Sequence, residues 1–300
     1  MVTFPIFAFL RWLLILLTGH GYDRSAWMNN LHHKLSYRLH RALPKFGIVG
    51  IQKVPAPGMP GKFLFVRAED GGVAHQLLVY REYEPFESRL VREHIEAGMT
   101  VYNIGGNIGY YALLCSACVG ALGKVLAFEP EPGNFELLQR NIGENGVQNI
   151  ELFPMAIGSA LGTASLSISA SNSGDHQLRD VRGREAISVP VTTLDRLIAE
   201  GSIEPNAIVM DVQGSELDVI MGAKDLLSAK SLRMIFFEFW PQGLNDRHPN
   251  GARTLLETLG RAGFRFQLID ENRSALSEIS VAELLETVRN NSEVNVLASR

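Results

Sequence analysis

The chain has 300 residues, 46% of them hydrophobic, and a formal net charge of −4. That charge gives no electrostatic reason to expect a nucleic-acid partner and points to a small substrate. Its two cysteines, Cys115 and Cys118, are spaced to share one helical face and leave a redox or zinc site without a second ligand pair, which suits buried core thiols in a reducing cytosol.

Residues 1–19 are almost wholly apolar, with Arg11 in the middle, and approach the roughly 18 residues that span a bilayer. Inserting Arg11 at the centre would cost about 2.5–3.5 kcal/mol. A secretory signal would need a positive start and a cleavage site that are missing here. Two readings stay open. One is a helix packed on the domain or on a partner subunit. The other is a peripheral membrane contact, which the basic flank Arg24, Lys34, Arg38, Arg41 and Lys45 would hold at the cytoplasmic side. Under both, the protein is expected in the cytoplasm. From Ser25, the spacing of Trp27, Leu31, Leu35 and Leu39 predicts a helix that Pro44 stops, with His32, His33 and His40 on its solvated face.

Strands are expected over 62–66 and 73–80, joined by the turn Glu69-Asp70-Gly71-Gly72, and a helix over 86–96. Val101 to Ile104 reads as a buried strand, Gly105 to Gly109 as a glycine-rich turn into a helix, and Leu126 to Phe128 as a second buried strand. Helices are then expected over 135–145, 194–199 with Thr193 as cap, 216–227 and 252–262. Strands are expected over 150–153, 163–169, 187–191, 207–210, 233–239, 264–269 and 294–297. The alternation predicts an α/β fold, an open and mostly parallel sheet covered on both faces. The expected division is a helical extension over 1–46, a hairpin and lead-in helix over 47–98, and a nucleoside-binding domain over 99–300.

The βαβ unit carries the chemistry. Glycines at 105, 106 and 109 permit a close backbone approach, and Glu129 ends the second strand where a carboxylate can accept both hydroxyls of a ribose. A dinucleotide fingerprint needs a glycine where this chain has Asn107, so that the pyrophosphate can come near. S-adenosyl-L-methionine has no phosphates and is therefore the expected cofactor. Three more polar clusters fall at strand ends or in a loop: Asp211 to Glu216, Glu238 to Pro241 with Trp240, and Ser173 to His176.

Gly-Gly-Asn-Ile-Gly-Tyr-Tyr at 105–111, Phe-Glu-Pro-Glu-Pro at 128–132, Asn-Ser-Gly-Asp-His at 172–176, Asp-Val-Gln-Gly-Ser-Glu at 211–216 and Phe-Glu-Phe-Trp-Pro at 237–241 together resemble the FkbM-type methyltransferases. The resemblance runs from about residue 83 to 266. It implies a class I methyltransferase (Rossmann-like) fold, a seven-stranded sheet with its last strand antiparallel, and methylation of a hydroxyl on a sugar or other small metabolite. It also implies that Asn103, Gly105, Gly106, Asn107, Gly109, Asp211 and Gln213 surround the cofactor and that Glu129 binds its ribose. Asp175, His176, Glu216 and Trp240 would face the acceptor. For the base that takes the hydroxyl proton, the order of preference is His176, whose ordinary pKa lies near neutrality, then Glu238, then Asp211. No metal is expected, since Asp175, His176, Asp211 and Glu238 lack ligand spacing within one motif. Asn103 and Gln213 stand where the family usually has an aspartate and a glutamate, and restoring either charge is expected to tighten the cationic cofactor. The alternatives are a non-catalytic scaffold on the same fold or a nucleotide-dependent dehydrogenase.

Overall fold

A computed structural model describes residues 26–288 and 292–300, with backbone alone for 26–33. The apolar run 1–19 lies outside these residues. Among those described, no helix is long and apolar enough to cross a membrane.

The helix Ala26–Arg41 leads to the antiparallel pair β1 (Ile51–Pro55) and β2 (Phe63–Arg67), in which Val54 faces Leu64. His40, expected on a solvated face, is instead buried, its ring 4.9 Å from that of His75. The strand expected over 73–80 is also corrected: Val73–His75 is an α turn and Gln76–Tyr80 a π turn. Asp70 explains the difference, because its carboxylate accepts from the Gly72 and Ala74 amides and so starts a helix. The partner of β2 is β1, a strand that no apolar alternation announced.

After the helix Pro85–His94 come β3 (Thr100–Ile104), the helix Tyr110–Val119, β4 (Lys124–Phe128), the helix Pro132–Glu144 and β5 (Ile150–Phe153). A small sheet follows: β6 (Ala156–Ile157) pairs parallel with β8 (Glu185–Thr192), and β7 (Gly162–Ile168) pairs antiparallel with β8. The remaining strands are β9 (Ala207–Met210), β10 (Met234–Phe239), β11 (Arg265–Asp270), β12 (Ala275–Ile279) and β13 (Val294–Ser299).

The main sheet runs β12-β11-β13-β10-β9-β3-β4-β5. Its pairs from β10 to β5 are parallel, whereas β13 is antiparallel to both neighbours, as expected of the last strand. The eighth strand, β12, is an addition at the edge; its largely exposed Ala-Leu-Ser-Glu-Ile has no buried face to betray it. Strand alternation divides the core. Val101, Val209 and Val125 pack on one face beneath β1, β2 and the helices Pro85–His94 and Tyr110–Val119. Tyr102, Ile208 and Leu126 pack on the other, against Leu194, Leu217 and Leu255. Both faces are thus covered, which a parallel sheet requires. The helix expected over 216–227 stops at Met221 before Gly222, and Pro241–Arg247 forms a helix not anticipated.

Candidate active site

A cleft of about 1060 Å³, its open mouth included, lies at the carboxyl ends of β3, β4, β9 and β10. This is where open α/β sheets hold ligands. The turn after β3 forms its floor. Gly105 has φ 81°, and a Cβ there would stand 1.9 Å from the Asp211 carbonyl oxygen. The absent side chain therefore lets the turns after β3 and β9 interlock. Gly109, with φ 94°, gives its space to Leu138, 2.6 Å from where a Cβ would be, and is not on the cleft wall. The missing side chain thus lets helix Pro132–Glu144 pack against the turn.

Glu129 is 5% exposed at the end of β4. Its Oε2 accepts from the Asn107 amide at 2.7 Å and its Oε1 from the Glu131 amide at 2.8 Å. Burial raises its pKa to about 7, while those two hydrogen bonds restrain the rise. Each carboxylate oxygen keeps a further lone pair for a ligand hydroxyl. Asn107 holds the turn to the loop after β7: its Nδ2 donates to the Ser173 carbonyl at 3.0 Å, and Asn134 Nδ2 donates to the same oxygen at 2.9 Å. Asn103 Nδ2 reaches the Val209 carbonyl at 3.3 Å. The Oδ1 atoms of Asn103 and Asn134 are buried without a partner, and both residues line the cleft. A buried acceptor left unpaired costs about 1–3 kcal/mol, so these oxygens suit a ligand rich in hydrogen-bond donors. Asn134 was missed by sequence reasoning, because a single asparagine in a helix's first turn carries no pattern.

The opposite wall is acidic. Gln213, held at φ 52°, donates through Nε2 to Asp211 Oδ1 and Glu238 Oε2, each at 2.8 Å. Burial raises the pKa of Asp211, and burial with the nearby Asp211 charge raises that of Glu238 well above the carboxylate range. Glu84, at φ 40°, accepts from the Tyr111 hydroxyl at 2.7 Å, and burial lifts its pKa to about 8. Glu87 is buried and accepts from Asn295 Nδ2. Tyr83, Tyr110 and Tyr111 pack edge to face beside them, at centroid distances of 5.0, 5.4 and 6.1 Å. The sequence reading did not find Glu84, Glu87 or the tyrosine group. Glu84 and Glu87 precede the glycine turn and have no motif of their own.

Of the site residues expected from the sequence, Asn103, Gly105, Gly106, Asn107, Glu129, His176, Asp211, Gln213 and Glu238 line this one cleft. Asp175, Glu216 and Trp240 lie outside its lining. Asp175 pairs with Arg184 at 2.5 Å and accepts from Gln177 Nε2. Glu216 is fully buried beneath its turn, where Oε1 accepts from the Val212 and Gly214 amides, Oε2 has no partner, and burial raises its pKa to about 7. Trp240 packs over Gly243, with Arg179 5.7 Å from its ring. His176 does line the cleft, but its Nδ1 accepts from the Ser169 amide at 3.0 Å. An amide can only donate, so the neutral ring carries its hydrogen on Nε2 and has no lone pair free to take a proton. Burial also lowers its pKa. Among the described residues, no group of three or more His, Cys, Asp or Glu side chains is arranged to hold a metal ion.

A profile of the methyltransferase FkbM domain matches residues 103–266. The chain is 28% identical over 142 residues to the hexuronic acid methyltransferase AglP of Haloferax volcanii; the match covers 47% of this chain and 56% of that relative. The chain thus spans about half the length of the curated relative it matches. Among solved structures it is similar to a methyltransferase FkbM from Methylobacillus flagellatus, with 14% identity, coverage of 98% of this chain and 58% of that one, and a TM-score of 0.43. It is also similar to an S-adenosylmethionine-dependent O-methyltransferase from Thermotoga maritima, with 13% identity, coverage of 86% and 80%, and a TM-score of 0.40.

Proposed function

Since the chain belongs to the methyltransferase FkbM family, we propose that it is an S-adenosylmethionine-dependent O-methyltransferase acting on a hydroxyl of a small metabolite or sugar. The observation that carries this reading is the pair of unpartnered amide oxygens, Asn103 Oδ1 and Asn134 Oδ1, in the same cleft as Glu129. The cofactor's ammonium, ribose hydroxyls and adenine amine are donors of the kind those acceptors lack. Glu129 would hold the ribose, and Asn103, Gly105, Gly106 and Asn107 would border the cofactor, with Asp211 and Gln213 on its charged side.

When bound, S-adenosylmethionine supplies a methyl group on a sulfonium, open to in-line displacement by an oxygen nucleophile. Orientation of the acceptor by the cleft contributes roughly 7–11 kcal/mol of the barrier in such reactions. The acceptor hydroxyl must also lose its proton. Glu238 is the base we assign, because it faces the cleft and its Oε2 accepts from Gln213 Nε2, a hydrogen bond that favours the ionised form able to take the proton. His176 offers an Nε2–H donor instead, and so orients an acceptor oxygen rather than deprotonating it.

Calorimetric titration of the purified chain with S-adenosylmethionine, S-adenosylhomocysteine and NAD tests the reading. Binding of the first two without the third is expected. Binding of NAD alone would make the protein a dehydrogenase, and binding of none would make it a non-catalytic scaffold on this fold.

A further inference from the structure

The charge of the cleft restricts what can be methylated. Five acidic residues line it, Glu84, Glu87, Glu129, Asp211 and Glu238, and no lysine or arginine does among the described residues. Three nearby arginines are engaged elsewhere: Arg179 with Asp246, Arg184 with Asp175 and Arg247 with Asp218. The imidazole of His176 is held neutral by burial. The acidic groups therefore have no counterion among the residues that line the cleft, although Arg92, outside the lining, reaches the Tyr110 hydroxyl.

Glu129 lies at the cofactor's end. Glu84 accepts from the Tyr111 hydroxyl and sits beside Tyr83, Tyr110 and Tyr111, whose rings pack edge to face. A carboxylate flanked by aromatic rings is the chemistry that holds an alkylammonium group, by ion pairing and cation–π attraction together. Burial raises the pKa values of Tyr83, Tyr110 and Tyr111, so their hydroxyls stay protonated. Burial raises the pKa of Glu84 to about 8 and those of Glu87 and Glu238 well above the ordinary carboxylate value, so these carboxyls hold protons until a cation enters; an ammonium beside Glu84 would be stabilised by ionising it, whereas an acceptor carboxylate or phosphate gains no ion pair there.

We propose that the acceptor is a hydroxy compound bearing a protonated amine, of the amino-sugar or amino-alcohol class, with the amine held by Glu84 beside Tyr83 and Tyr111. This rests on the methyltransferase reading and gives its acceptor a charge. It separates this chain from its Haloferax volcanii relative, which is named for a hexuronic acid, an anionic sugar.

The test uses three pyranoses that differ in one group: glucosamine, glucose and glucuronate. Each is titrated by saturation-transfer NMR into the full chain saturated with S-adenosylhomocysteine. Glucosamine is expected to bind about tenfold tighter than glucose, with glucuronate the weakest. In the Glu84→Gln variant the preference for glucosamine over glucose should fall to within about twofold, while the dissociation constant of S-adenosylhomocysteine changes less than about threefold. Glucuronate binding as tightly as glucosamine overturns the inference, as does the absence of glucosamine binding up to its solubility. Failure of the methyltransferase reading would show separately, as absent S-adenosylhomocysteine binding before any sugar is added.

Discussion

Gln213 Nε2 donates to Glu238 Oε2 at 2.8 Å, and the same nitrogen lies 2.8 Å from Asp211 Oδ1. One neutral amide therefore stands between two carboxylates, and the charge of Asp211 adds to burial in raising the proton affinity of Glu238. A glutamate at this position, which the family resemblance would restore, loses both donated hydrogen bonds and brings a third negative charge to the same point.

Gln213→Glu is accordingly expected to destabilise the protein by about 2–4 kcal/mol at pH 8. Most of that loss should be recovered at pH 5, where the cluster holds protons. Urea unfolding at both pH values checks it, and an unchanged midpoint at pH 8 would mean that the amide does not bridge the pair in solution.

Glu129→Gln tests the ribose assignment and the turn together. Glu129 accepts from two backbone amides, and a glutamine must present its NH₂ to one of them whichever way it is turned. S-adenosylmethionine should bind about 2–4 kcal/mol more weakly by calorimetry, with a smaller loss of stability. A dissociation constant equal to that of the parent would move the ribose elsewhere.

Glu238→Gln and His176→Asn separate the base from the donor. Removing a general base lowers turnover by about 10²–10⁴-fold, and that loss is expected for Glu238→Gln with S-adenosylmethionine affinity nearly unchanged. His176→Asn keeps an acceptor for the Ser169 amide and should cost only about tenfold, the scale of one lost hydrogen bond. Equal losses in the two variants would return the base role to His176.

Glu216 sets a pH dependence of stability. Its carboxyl is fully buried and its pKa is raised from 4.5 to about 7. Between those values the folded state keeps a proton that the unfolded state releases. Its contribution to stability is therefore full below about 4.5, falls as pH rises through about 7, and is flat above. Between pH 5 and pH 8, Glu216→Gln should lose about 2–3 kcal/mol less stability than the parent protein. Parallel curves in a denaturant series would place the proton on another group.

The parallel strands β3, β4, β9 and β10 were legible in the sequence because they are continuous buried apolar runs, and Asn103, Glu129 and Glu238 were legible because motifs mark the ends of such runs. The strand β12, the helical turn over 73–80 and the burial of His40 were not, since an edge position, an Asp70 cap and a neighbouring ring are tertiary facts. The same holds at the site. Asp175 and Glu216 have the residue types of an acceptor-binding wall, yet Arg184 takes one and the turn beneath Gly214 takes the other. Only the packed chain brings Tyr83 and Glu84 from outside the nucleoside unit to the cleft beside Tyr110 and Tyr111. Local pattern determines which strands form and where a loop can accept a ligand. Which side chains then face that ligand depends on which hydrogen-bond partners the rest of the fold has already supplied.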